Sequence, residues 1–100
     1  MDKYKVRLNA RAYRDIEDIF RYIAVEKLEP QIAKGQTDRI WNALKTLETF
    51  PQSHQDRTEG YFVGKGYKQL LIDNYIAIYR IDEQNRMVSV ITVQYQGRML

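Results

Sequence analysis

Three β-rich runs separated by two short polar turns fill residues 67–95, and no other stretch limits the fold as tightly. Tyr67–Asp73 comes first and Asp73-Asn74 makes a turn. Tyr75–Ile81 follows, Asp82–Asn85 makes the second turn, and Arg86–Tyr95 completes the set. Short runs of β-branched and aromatic residues joined by turn residues predict an antiparallel meander. On the middle run Ile76, Ile78 and Arg80 share one face, while Tyr75, Ala77, Tyr79 and Ile81 share the other. Both faces are mostly apolar, so this is a central strand, covered on one side and partly shielded on the other.

The cover has to come from the first half. Tyr4–Leu8 alternates Tyr4, Val6 and Leu8 against Lys3, Lys5 and Arg7, a half-buried strand with a basic outer face. Asn9 stands where an N-cap belongs. Ala12, Tyr13, Ile16, Ile19, Phe20 and Ile23 then recur at the spacing of an amphipathic helix, which should fade between Val25 and Leu28. Pro30 suits the first turn of a second helix. Its stripe is Ile32, Ala33, Ile40, Ala43, Leu44 and Leu47, with Gln36 a polar interruption and Trp41 beside it, and Phe50-Pro51 ends it. Two helices so closely linked form a hairpin, and only the sheet can bury their stripes. The expected fold is α+β: strand, helix, helix and three strands in a single domain over residues 1–100, with a helical hairpin on one face of an antiparallel sheet. The first strand should lie beside the last, parallel or antiparallel. Residues 51–66 form an irregular connection that glycines 60, 64 and 66 leave either mobile or tightly turned.

Composition narrows the function classes. A chain of 100 residues that is 44% hydrophobic with only 5 Gly and 2 Pro folds into one domain rather than staying disordered. Zero cysteines exclude disulfides and thiolate metal sites and fit a reducing compartment. The opening Met-Asp-Lys-Tyr-Lys-Val-Arg has no apolar core of a signal peptide, and no apolar run nears the ~20 residues that span a bilayer. No membrane role and a cytoplasmic location are therefore expected. A net charge of +3 suits a phosphate-bearing or an acidic protein partner.

Several chemistries fail on spacing. Gly60-Tyr-Phe-Val-Gly64-Lys65-Gly66 has three residues between its first glycines where a phosphate loop needs four, and no Ser or Thr follows the lysine. His54, the only histidine, has no carboxylate cluster at ligand spacing, so it is expected to be an exposed loop residue and no metal is expected. Asp15, Glu17 and Asp18 are expected to be solvated or pairing charges on the first helix. Ser53 and Ser89 do not assemble a hydrolytic triad. What remains is a basic and aromatic set: Lys65, Lys68, Arg80, Tyr95 and Arg98, with Tyr61 and Tyr67 nearby. Cations hold phosphates, and tyrosine can stack on a base or move a proton. Equally, Lys68 and Arg80 can be outward-facing residues that keep the sheet soluble.

The element order, the run Asp73-Asn-Tyr-Ile-Ala-Ile-Tyr-Arg-Ile-Asp-Glu83 and the tail Val93-Gln-Tyr-Gln-Gly-Arg98 together resemble the RelE/ParE toxins of bacterial type II toxin–antitoxin systems. The likeness spans Tyr4 to Arg98. It implies one of two activities. RelE-like members cleave ribosome-bound mRNA without metal or other cofactor, and ParE-like members poison DNA gyrase and have no enzymatic activity of their own. Both kinds are held by a cognate antitoxin, and operator DNA is met only through that complex. On the mRNA endoribonuclease reading the resemblance assigns Lys68, Tyr95 and Arg98 to catalysis and Lys65 and Arg80 to RNA phosphates. This chain departs from that pattern. Ile76 stands where RelE-like nucleases carry an arginine after the hairpin tyrosine, Leu70 stands where a second lysine is expected, and Gln96 holds the position nearest the last arginine. A gyrase inhibitor, or a non-toxic antitoxin-binding member, remains the alternative.

Overall fold

The computed structural model describes residues 3–96. Strand β1 (Lys5–Leu8) leads into helix α1 (Ala10–Arg21), then α2 (Pro30–Lys45), then strands β2 (Tyr67–Ile72), β3 (Tyr75–Asp82) and β4 (Met87–Tyr95). The strands form one sheet in the order β1-β4-β3-β2. The meander pairs antiparallel, and β1 joins β4 parallel, which decides the orientation the sequence left open. A register shift between Ile78 and Tyr79 marks a bulge in the β3–β4 pairing.

α1 starts where the side chain of Asn9 accepts the Ala12 amide at 3.0 Å, the expected cap. Past Arg21 it continues through a π-helical turn, Tyr22–Glu26, closed by Lys27 N–H on the Tyr22 carbonyl, and so ends between Val25 and Leu28 as expected. Leu28 then takes a left-handed backbone (φ 57°) to reach α2, whose N1 position is Pro30. The stripes are buried only in part. Ala12 and Ile16 of α1, and Ala33, Thr37, Ile40 and Leu44 of α2, face inward. Tyr13, Phe20 and Ile32, placed on the stripes by periodicity, are exposed, because each helix turns a narrower face to the sheet than its apolar residues cover. Tyr13 instead packs on Trp41, 5.6 Å between ring centroids.

The core lies between the hairpin and one sheet face. Ile40, Leu44 and Leu47 meet Leu70, Ile72, Ala77, Tyr79, Val88, Val90 and Val93. Burying each such aliphatic side chain is worth about 1.5–3 kcal/mol. Ile76 and Ile78 are buried on the opposite face, so β3 is central and shielded on both sides.

Candidate functional site

Each strand of the meander carries its candidate residues to a face fixed by register. Lys68 pairs with Tyr79 and therefore stands on the helix side of the sheet, while Arg80, one residue further along β3, stands on the outer side. The end of the helix side near Lys68 is closed by the segment after α2. Tyr79 is fully buried and its hydroxyl donates to the Pro51 carbonyl at 2.6 Å; burial pushes that phenol well above its ordinary range. His54 lies edge-on to the Tyr79 ring at 6.3 Å, half-buried rather than the exposed loop residue expected. The Lys68 ammonium donates to the His54 carbonyl at 3.0 Å and to the Asp56 carboxylate at 2.8 Å. Lys68 thus ties the connection to the sheet edge, where Asp56 and Lys68 form a strand bridge.

Tyr95 is also on the helix side but at the other end of the strands, opposite Tyr75. Four residues along a strand and two strand spacings separate it from Lys68, roughly 16 Å. Its ring meets Tyr75 at 5.8 Å. Burial, then the neighbouring Tyr95 and Tyr22, raises the Tyr75 phenol. Among the described residues the cations resting on rings sit over Tyr4, Tyr22, Tyr61 and Tyr67, not over Tyr95. Arg98 lies outside the described residues. Lys68 and Tyr95 are therefore not brought together. Ile76, where a nuclease of the resembled kind carries arginine, is a buried residue between Leu71 and Gln94 on the outer face.

Lys65 and Arg80 sit at the two ends of one run of aromatic rings. The connection that glycine content leaves mobile or tightly turned is tightly turned and anchored. Arg57 is nearly buried; it donates to the Glu59 carbonyl at 2.8 Å and to the Gln69 side chain at 3.1 Å. Gly66 (φ 84°) delivers the chain into β2 through a backbone that side chains rarely adopt. Phe62 packs against Tyr67 at 4.8 Å, and Tyr61 against Phe62 at 5.2 Å. Lys65 Nζ rests 4.0 Å over the Tyr61 ring and the Arg80 guanidinium 5.7 Å over Tyr67. Two cations thus sit on one aromatic ladder, held in place without being neutralised.

Two further clusters lock the ends of the sheet. Tyr4 donates to Glu83 at 2.5 Å and accepts from Gln52 and Arg86. The bonds from Tyr4 and Gln52 hold the Glu83 carboxyl below its usual range. At the opposite end Asp73 accepts from Arg39 at 2.7 Å and from Gln36 at 3.0 Å, which depresses its carboxyl and fastens the β2–β3 turn to α2.

The helical hairpin leaves an apolar tip. Phe20 and Val25, with Glu17 and Arg21, line a cleft of about 320 Å³, and Tyr22, Leu28 and Ile32 are exposed nearby in the chain.

Residues 6–100 match the family model described as the ParE toxin of type II toxin–antitoxin system, parDE. No curated protein matches the chain. Among solved structures, that of the chromosomal ParDE toxin–antitoxin system from P. aeruginosa is similar with a TM-score of 0.75 at 14% identity, over 95% of this chain and 98% of that one. The toxin–antitoxin complex RelBE2 from Mycobacterium tuberculosis gives 0.63 at 22% identity, over 98% and 97%. The archaeal RelE–RelB complex from Pyrococcus horikoshii gives 0.64 at 12% identity, over 96% and 98%. At these identities the structural likeness speaks for the fold.

Proposed function

The chain belongs to the ParE toxin family of type II toxin–antitoxin systems, and from that membership we propose that it arrests growth by binding a protein target, DNA gyrase, rather than by cutting RNA. One observation carries the reading: the two described members of the catalytic set inferred from RelE-like nucleases, Lys68 and Tyr95, stand at opposite ends of the sheet. General acid–base catalysis needs the acting groups within hydrogen-bond reach of one substrate. Lys68 is engaged by Asp56 and His54, Tyr95 by Tyr75, and the site of the missing arginine is aliphatic. A gyrase inhibitor needs a complementary surface and no convergent site.

The same reading gives the chain an antitoxin partner. The apolar hairpin tip, with its cleft between Phe20 and Val25, suits the apolar face of an amphipathic segment that folds on docking. Of the similar structures, that from M. tuberculosis is a toxin–antitoxin complex and that from P. horikoshii a RelE–RelB complex.

Expression without antitoxin should stop growth with translated mRNA intact and the DNA-damage response induced. Lys68→Ala and Tyr95→Phe, each checked for folding, should keep that toxicity within about twofold, since neither performs a chemical step; a group acting as general acid or base contributes 10²–10⁴-fold. Loss of toxicity in both variants, together with mRNA cleavage by the parent chain, would restore the nuclease reading.

A further inference from the structure

Strand register gathers cations that the sequence scatters. Arg7 on β1 lies opposite Ser89 on β4, Ser89 opposite Arg80 on β3, and Arg80 opposite Tyr67 on β2. Directly opposed residues share a face. Tyr79, the neighbour of Arg80, faces the core, so this row stands on the side turned away from the helices. Lys5, opposite Met87, joins the same face one step along. From Tyr67 the row continues through Phe62 and Tyr61 to Lys65. Three strand spacings, ~14 Å, separate Arg7 from Tyr67 before the loop extends the band.

Arg7 and Lys65 enter no ion pair among the described residues, and Arg80 is offset only by the Coulombic attraction of Asp82. The ion pairs among the described residues are Arg21–Asp18, Lys34–Asp38, Arg39–Asp73 and Lys68–Asp56, none of which uses Arg7, Lys65 or Arg80. Asp82, the carboxylate beside Arg80 on this face, accepts from the Asn85 amide at 3.2 Å and side chain at 2.8 Å, which hold it ionised and aimed at the turn, so that it offsets Arg80 only in part. Exposed, pre-positioned cations on a sheet face complement a polyanion.

We propose that this outer face binds the phosphate backbone of duplex DNA without regard to sequence. A duplex fits better than a single strand, because bases need open ring faces for stacking, whereas Tyr61 and Tyr67 each carry a cation on one face and pack against Phe62 as well. The contact belongs to the toxin itself and differs from the expectation that DNA is met only through an antitoxin complex. It stands independently of the target reading, since it needs no gyrase.

The test is fluorescence anisotropy of the full chain with a labelled duplex of arbitrary sequence, titrated with salt. Each neutralised phosphate contributes about −0.9 to the slope of log affinity against log salt, so the four cations predict a slope of about −3.6 and about a 150-fold loss between about 50 and 200 mM. Combined Arg7→Gln, Lys65→Gln and Arg80→Gln should leave only the contribution of Lys5, a slope of about −0.9. Lys34→Gln with Lys45→Gln, on α2, should leave it unchanged. Circular dichroism confirms that each variant is folded; if the triple variant is not, Arg7→Gln alone must lower the slope by about one. No duplex binding at low salt, an unchanged slope in the folded variants, tighter base-dependent binding of single strands, or binding of an acidic peptide in place of DNA would each overturn the proposal.

Discussion

Asp15 sits on α1 within a run of acidic residues, and helical periodicity assigns it with Glu17 and Asp18 to the solvent. In the fold its carboxylate reaches β4, accepting the Val93 amide at 3.0 Å and bonds from the Thr92 hydroxyl and the Gln94 side chain. The reason is topological. β1 pairs with β4 only as far as Val90, so the next strand-edge donors of β4 need another acceptor. Asp15→Ala leaves a buried threonine and a strand amide without their partner and should cost about 1–3 kcal/mol in urea denaturation. Glu17→Ala, at the exposed neighbouring position, should stay within about 0.5 kcal/mol. Equal effects at the two positions would remove Asp15 from this role. Nothing at the residue level of the sequence reveals the difference, because it depends on where a strand 70 or more positions away stops pairing. Asn9 is the contrasting case, since a cap bonds within its own first turn and so is legible locally.

At the level of elements, the strands, both helices, the cap, the proline at N1 and the two hairpin turns were readable from periodicity and turn chemistry. Left-handed Asp73 and Arg86 occupy the turn ends where short hairpins bend. The connection between α2 and β2 was not readable, because its order comes from bonds that Arg57 and Lys68 make only once the chain is folded. Arg57, in a polar stretch, folds back under Glu59 and onto Gln69, and its own amide bonds the Tyr67 carbonyl while Gln69 N–H bonds Gln55. Nor could composition show that Lys68 bonds His54 and Asp56 of this segment. Arg57→Ala should destabilise the chain by about 1.5–3 kcal/mol, the range for hydrogen bonds to charged groups. Amide exchange should quicken first across residues 55–57 and 67–69. Unchanged exchange there would mean that Lys68 and the aromatic ladder hold the loop without Arg57. The ladder too escaped periodicity, since Tyr61, Phe62 and Tyr67 come together only once the loop is folded.

For the whole molecule, the parallel pairing of β1 with β4 does two things. It completes a sheet whose helix side is a closed core, and it puts Arg7 in line with Arg80 on the other side. The α+β architecture follows from element order, but the faces follow from register, and register placed Lys68 and Arg80 on opposite sides of one sheet. Among the described residues the chain presents an apolar hairpin tip on one side and a cationic band on the other. The most direct test is a supercoiling assay on relaxed plasmid with purified gyrase and the purified full chain. The account predicts that supercoiling falls as the chain approaches stoichiometry with gyrase, and that Lys68→Ala inhibits as the parent does; undiminished supercoiling at saturating chain would contradict it.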